Sequence, residues 1–138
     1  MRRVVVDTNV LIAALRSLRG RSNRLLSLVG ARRFETVITV PLVLEYEDAA
    51  LRQLSSLSYT ADEVREIIDF ICSAAEPTEI YYLWRPLLAD PGDELVLEAA
   101  VAGRCDTIVT FNQRHFRGVE QFGLELRTPG AFLEEIER

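Results

Sequence analysis

Three acidic residues stand where chain elements begin or end, and acids so placed can do chemistry if the fold brings them together. Asp7 closes the apolar run RVVVD, Glu45 falls a few residues past Pro41, and Asp93 lies just inside the segment opened by Asp90 and Pro91. Carboxylates gathered at one edge repel one another and are pushed toward protonation unless a cation neutralises them. A hard divalent ion takes oxygen ligands, keeps several waters, and makes both water and a phosphoryl group more reactive. Each acid also has a purely structural reading. Asp7, followed by Thr8 and Asn9, can cap a helix starting near Val10. Glu45 can be an exposed helical residue like Glu47 and Asp48, and Asp90 can cap a helix whose dipole favours Asp93. Taken one by one, the acids leave both readings open.

Composition narrows the chemistry. His115 is the sole histidine, which excludes a ribonuclease built on a histidine pair; within the turn NQRHF it reads as a packing residue, with contact to RNA as the alternative. All sixteen basic residues are arginine and none is lysine. A haloacid-dehalogenase-type phosphatase also starts from a strand-end aspartate, but it needs a second aspartate where this chain has Asn9, and a lysine later. A receiver-type signalling domain needs an early acid pair and a late lysine, and is excluded likewise. Cys72 and Cys105 sit 33 positions apart in apolar stretches without a CxxC or histidine companion, so both read as reduced core residues.

The elements that must position the acids can be read from hydrophobic period. With 138 residues, 49% of them hydrophobic, the chain suits one domain over residues 1–138. No apolar run approaches the roughly 18 to 20 residues of a membrane span and no signal-peptide core develops, so a cytoplasmic protein with no membrane partner is expected. Residues 3–7 read as a buried parallel strand presenting Asp7 at its carboxyl end. VLIAALRS and about residues 23–33 read as helices, residues 34–40 as a strand, and Pro41 opens a helix to about Leu54. Thr60 and Glu63 have capping-box spacing before a helix to about residue 75. The stretch 76–90, aromatic but broken by Pro77 and Pro86, reads as irregular and as a candidate interface. A helix over residues 91–103, the strand DTIVTF, a short turn, a strand over 124–127 and a helix opened by Thr128 and Pro129 complete the chain. Such alternation predicts a three-layer α/β/α sandwich around a mainly parallel sheet.

Three phrases in this order carry a family resemblance: DTNVLIAAL after an apolar strand, an acid soon after a strand–proline junction, and DPGDELVLEAAVAGRCDTIVTFN followed by RHF. Together they resemble the PIN-domain family over nearly the whole chain, and most of all its prokaryotic VapC-like toxins of toxin–antitoxin pairs. The resemblance implies a PIN-like fold, Mg²⁺ or Mn²⁺ dependence, and an endoribonuclease that hydrolyses RNA phosphodiester bonds to leave a 5′-phosphate. It implies an antitoxin protein and a homodimer as partners. It makes Asp7, Glu45 and Asp93 the metal-holding, catalytic acids.

One departure stands out. Many members carry a fourth acid after the DTIVTFN strand, where this chain has Asn112; an amide can offer a carbonyl oxygen or hold water but brings no charge. Asp90 or Glu94 is then the candidate for the missing carboxylate, and Thr8, Asn9 and Thr110 match small polar positions that support the site. Asp106, at the start of its strand, belongs to the opposite sheet edge. The overall charge of −5 argues against a nucleic-acid partner, but residues 1–33 hold eight arginines against Asp7 alone, and residues 34–138 hold eight against twenty acids. Asymmetry of this kind can be a solvated helix face. Beside a nuclease site it marks Arg16, Arg19, Arg21 and Arg24 as a candidate RNA phosphate track. The competing expectation is a catalytically impaired module of the same fold that binds RNA or a protein.

Overall fold

The computed structural model describes residues 1–79 and 88–138. Arg3–Val6 forms β1, whose β-branched valines suit a strand buried on both faces. Helices α1 (Thr8–Arg16) and α2 (Arg21–Ser27) follow, then β2 (Glu35–Ile38), α3 (Val40–Arg52), α4 (Ala61–Ala74) and the two-residue β3 (Glu76–Pro77). The second half holds α5 (Pro91–Ala102), β4 (Thr107–Val109), β5 (Glu125–Arg127) and α6 (Pro129–Glu137). Two short 3-10 turns, Gln113–Phe116 and Val119–Phe122, join β4 to β5.

The strands form one sheet in the order β3-β2-β1-β4-β5, and every pairing is parallel. Register is set by alternation along β1. Val5 faces a core with Leu42 and Tyr46 of α3, Val64 and Ile68 of α4, and Val96 and Leu97 of α5. Val4 and Val6 face a second core with Leu25 of α2 and Phe132 of α6, where Phe34 meets Phe132 edge to face at 5.4 Å. Two apolar clusters on opposite faces of one sheet are the three-layer α/β/α sandwich expected from the alternation, with the sheet wholly rather than mainly parallel.

Local signals explain the boundaries. Thr60 accepts from the Glu63 amide while the Glu63 side chain accepts from the Thr60 amide, so the capping box forms as read. Thr39 caps α3 by accepting from the Leu42 amide, which puts Val40 first in the helix and Pro41 second. Helix α2 stops at Ser27, short of the expected residue 33, because the chain turns through positive φ at Gly30 and Arg32. The irregular stretch of 76–90 contributes an edge strand at Glu76–Pro77 and is irregular at 78–79 and 88–90; residues 80–87 lie outside the described residues. Among the described residues no helix is long and apolar enough to cross a membrane.

Because all strands are parallel, their carboxyl ends share one edge, bearing Asp7, Thr39, Thr110 and Thr128. Strand order reverses at β1 and β4: the chain runs outward from β1 through β2 to β3, then returns to the other side. An open parallel sheet leaves a crevice at such a switch point, here between Asp7 and Thr110. The opposite edge is closed by charge. Arg2 pairs with Asp106 at 3.2 Å and with Glu135, and its guanidinium lies 4.9 Å over the Phe132 ring. The second core depends on that ring, so Phe132→Ala is expected to cost about 3–5 kcal/mol in urea unfolding.

Candidate active site

Asp7 stands one residue past β1, fixed by its amide bond to the Val109 carbonyl at 2.9 Å. Its side chain does not cap α1. It is buried instead, and Oδ2 accepts from the Thr110 hydroxyl at 2.6 Å. Thr110 is itself fully buried, and its Oγ1 also accepts from the Asn112 amide at 3.0 Å. Tyr46, buried on α3, donates its hydroxyl to the Val6 carbonyl and so clamps the backbone next to Asp7. Burial raises the Asp7 pKa above the usual aspartate range, against the opposing pull of Thr110, the nearby amides of Thr8 and Asn9, and His115.

Asp93 enters the crevice from the first turn of α5. Asp90 is the helix cap, its Oδ1 accepting from the amides of Gly92 at 2.7 Å and Asp93 at 3.2 Å. That cap frees the Asp93 side chain from capping and aims it inward, where the residue keeps only 9% exposure. Its pKa is pushed up to about 6, first by burial, then by repulsion from Asp7 and Asp90. Asp7 and Asp93, 86 positions apart in sequence, thus lie close enough to repel one another electrostatically.

His115 is the residue that sequence reasoning misplaced. It does not pack into its turn: it is 56% exposed, and its Nδ1 lies 3.2 Å from Asp93 Oδ2. The turn Gln113–Phe116 buries Phe116 instead, and this swings His115 back over the α5 terminus.

The remaining expected residues are placed as follows. The Glu45 carboxylate stands beside the α5 terminus, Oε1 lying 3.9 Å from where a Cβ on Gly92 would be and 3.8 Å from Arg52. Glu94 is buried and accepts from the Leu88 amide. Thr8 and Asn9 open α1, and Asn9 Oδ1 receives the Phe111 amide at 3.5 Å. Asn112 follows β4 on the exposed rim. Among the described residues no three His, Cys, Asp or Glu side chains stand close enough together to hold an ion jointly.

The arginines of residues 1–33 divide. Arg3 pairs with Glu35 at 2.6 Å on the closed edge, and Arg24 pairs with Glu137 at 2.9 Å. Arg16 donates to the Gln53 side chain, while Arg19 and Arg21 are exposed. Asp106 accepts from the Arg3 amide at 2.9 Å, at the edge away from the crevice. Cys72 and Cys105 are both free thiols.

An open parallel α/β sheet with a pair of buried aspartates at its switch point defines a class of acid-site proteins. The family is shown by sequence: the PIN domain model matches residues 3–114, and the chain belongs to the PIN-domain family. No curated protein matches the chain closely enough to count as a relative. Solved structures that share the fold include the following two. One, VapBC2 from Rickettsia felis bound to a DNA fragment from their promoter, has a TM-score of 0.61 and 17% identity, covering 91% of this chain and 98% of the other. The other, VapBC-1 from nontypeable Haemophilus influenzae, has a TM-score of 0.60 and 12% identity, covering 93% and 98%.

The raised pKa values fix the sign of a pH effect. A carboxyl with a higher pKa folded than unfolded makes the fold bind protons more tightly, so stability is lost as pH rises from the usual 3.8 toward about 6. With divalent ions chelated, the wild-type Tm is expected to be higher at pH 5 than at pH 7. Asp93→Asn should flatten that slope, chiefly by raising Tm at pH 7. A wild-type slope that Asp93→Asn leaves unchanged would contradict this assignment.

Proposed function

We propose that this protein is a Mg²⁺- or Mn²⁺-dependent endoribonuclease that hydrolyses RNA phosphodiester bonds, acting as the toxin of a toxin–antitoxin pair. The observation that carries the reading is the pair of buried, mutually repelling carboxylates, Asp7 and Asp93, at the sheet's switch point. An all-oxygen donor set of this charge fits a hard divalent cation. Mg²⁺ is commonly held by one or two carboxylates with substrate phosphate and water completing its shell, so two acids suffice. When bound, such an ion would neutralise the crevice, activate water and draw charge off the phosphoryl oxygens.

The chain's own residues do the positioning. Thr110 holds Asp7 Oδ2 in place, and Tyr46 holds the backbone that carries Asp7. Asp90 fixes the α5 terminus and thereby the direction of Asp93. Glu45, whose carboxylate stands beside Gly92, would be a further acid at that terminus, with Asp90. Asn112 offers an uncharged oxygen on the rim, where Thr8 and Asn9 complete the polar lining. Arg19, exposed between α1 and α2, and Arg21, exposed at the start of α2, with Arg16 and Arg24 beside them, would guide the RNA backbone. An antitoxin protein would quiet the crevice by presenting a basic side chain to its carboxylates. A cytoplasmic location and a homodimer belong to the same proposal.

A second reading has an observation in its favour. No three acids are gathered among the described residues, and Asn112 stands where an acid is usual, as expected of an impaired module that only binds RNA or a protein. Cleavage separates the two. Purified wild type is expected to cut RNA with Mn²⁺ or Mg²⁺ and not with chelator, and Asp7→Asn or Asp93→Asn to lose at least about 100-fold, since removing a ligand exceeds the 10–100-fold of outer-shell partners. Thr110→Val, which only releases Asp7, should fall within that outer-shell range. Equal cleavage by wild type and both aspartate variants would defeat the enzymatic reading, and absence of Mn²⁺ uptake would favour the binding module.

A further inference from the structure

The amino ends of β2 and β3, away from the aspartate crevice, border a hollow of about 520 Å³. That volume lies within the roughly 300–1,000 Å³ of small-molecule sites. Met1, Ala74, Ala75 and Pro77 give the hollow an apolar wall, and Arg32, Glu35, Thr36 and Glu76 add polar groups. Gly30 lets the turn between α2 and β2 close against the end of α4: a Cβ there would stand 3.0 Å from the Ala74 Cβ.

Two of the lining residues are held at a cost to stability. Thr36 is only 4% exposed, and its hydroxyl is buried with no hydrogen-bond partner. Such a group gives up its bonds to water on folding and gains none in return, so each instance calls for a reason. Valine would fill the same space without that loss. Arg32 holds a φ of 62°, where a Cβ crowds the backbone. Strained residues of this kind gather at ligand sites. The charges around the hollow are also unequal. Glu35 and Glu76 share Arg3, at 2.6 and 4.0 Å. Arg32 is exposed and enters no ion pair among the described residues.

One free guanidinium, one unpartnered hydroxyl and an apolar wall suit an anion with a hydrocarbon body. A guanidinium forks onto a carboxylate, and a hydroxyl can donate to the same group. We propose that this hollow is a binding site for a small amphipathic carboxylate, held at its charged end by Arg32 and Thr36 and along its hydrocarbon by Ala74, Ala75 and Pro77. The strain at Arg32 and the orphaned hydroxyl of Thr36 then have one common explanation, and neither depends on the ribonuclease reading.

The test is an amide chemical-shift titration of the whole protein with hexanoate, in chelator. Saturable shifts are expected at residues 30–36 and 74–77, with affinity falling by about 4-fold for each methylene removed toward acetate. Hexylammonium, of equal length and opposite charge, should bind far more weakly. Thr36→Val should weaken hexanoate about 2- to 10-fold while raising the ligand-free Tm. Arg32→Gly should weaken it at least about 10-fold, as for a bond to a charged group, and leave Tm no lower. A purely structural role would move stability alone, whereas a ligand site moves affinity and stability in opposite directions. The proposal is overturned if hexanoate gives no saturable shift in that region, if hexylammonium binds as tightly, or if either variant binds hexanoate as wild type does. RNA cleavage does not enter the measurement, so its failure leaves the ribonuclease reading standing.

Discussion

Two carboxylates held close together in a poorly solvated crevice are the constraint around which this structure is arranged. Burying one ionised carboxylate is costly, and placing a second beside it adds repulsion that surrounding water cannot screen. The fold accepts that cost at Asp7 and Asp93 and surrounds it with supports: the Thr110 hydroxyl on Asp7, the Tyr46 hydroxyl on the preceding carbonyl, and the Asp90 cap below Asp93. Polar supports of this kind do not remove the repulsion. They hold the two groups in place, and carboxylates perturbed in this way cluster at functional sites.

The sheet makes the juxtaposition possible. Parallel pairing of β1 with β4 puts Val6 opposite Val109, and therefore Asp7 level with Thr110. Alternation then sends Val4 and Val6 into the core under α6 and Val5 into the core under α3 and α5. The helices on the second face bring α5 to the same edge. Charges that would interfere are kept elsewhere: at the opposite edge Arg2 pairs with Asp106 and Glu135, and Arg3 pairs with Glu35.

Much of this was legible in the sequence because it depends on local rules. The β-branched run before Asp7, the Thr60–Glu63 capping box and the proline junctions name their elements through period and turn chemistry. The order of strands and helices implied parallel pairing, and parallel pairing put Asp7 at a ligand-binding edge. Illegible were the features decided by long-range contact. Capping of α1 was a fair local reading of Asp7, and only the partner strand's Thr110 shows that its side chain is engaged across the sheet. His115 was read as packing because sequence does not say which of two adjacent aromatic-type residues a short turn buries; Phe116 took the core and left His115 over Asp93. The arginine-rich first third had a clear composition and an unclear meaning, since pairing with acids far along the chain neutralises Arg2, Arg3 and Arg24. Asn112 was recognised as a departure, and the structure leaves it exposed after β4.

The most direct test of the account is anomalous diffraction from crystals of this protein grown with Mn²⁺. The account predicts a peak within the crevice contacted by carboxylate oxygens of both Asp7 and Asp93. A map with no peak between those two side chains, at an Mn²⁺ concentration that supports cleavage, would contradict it.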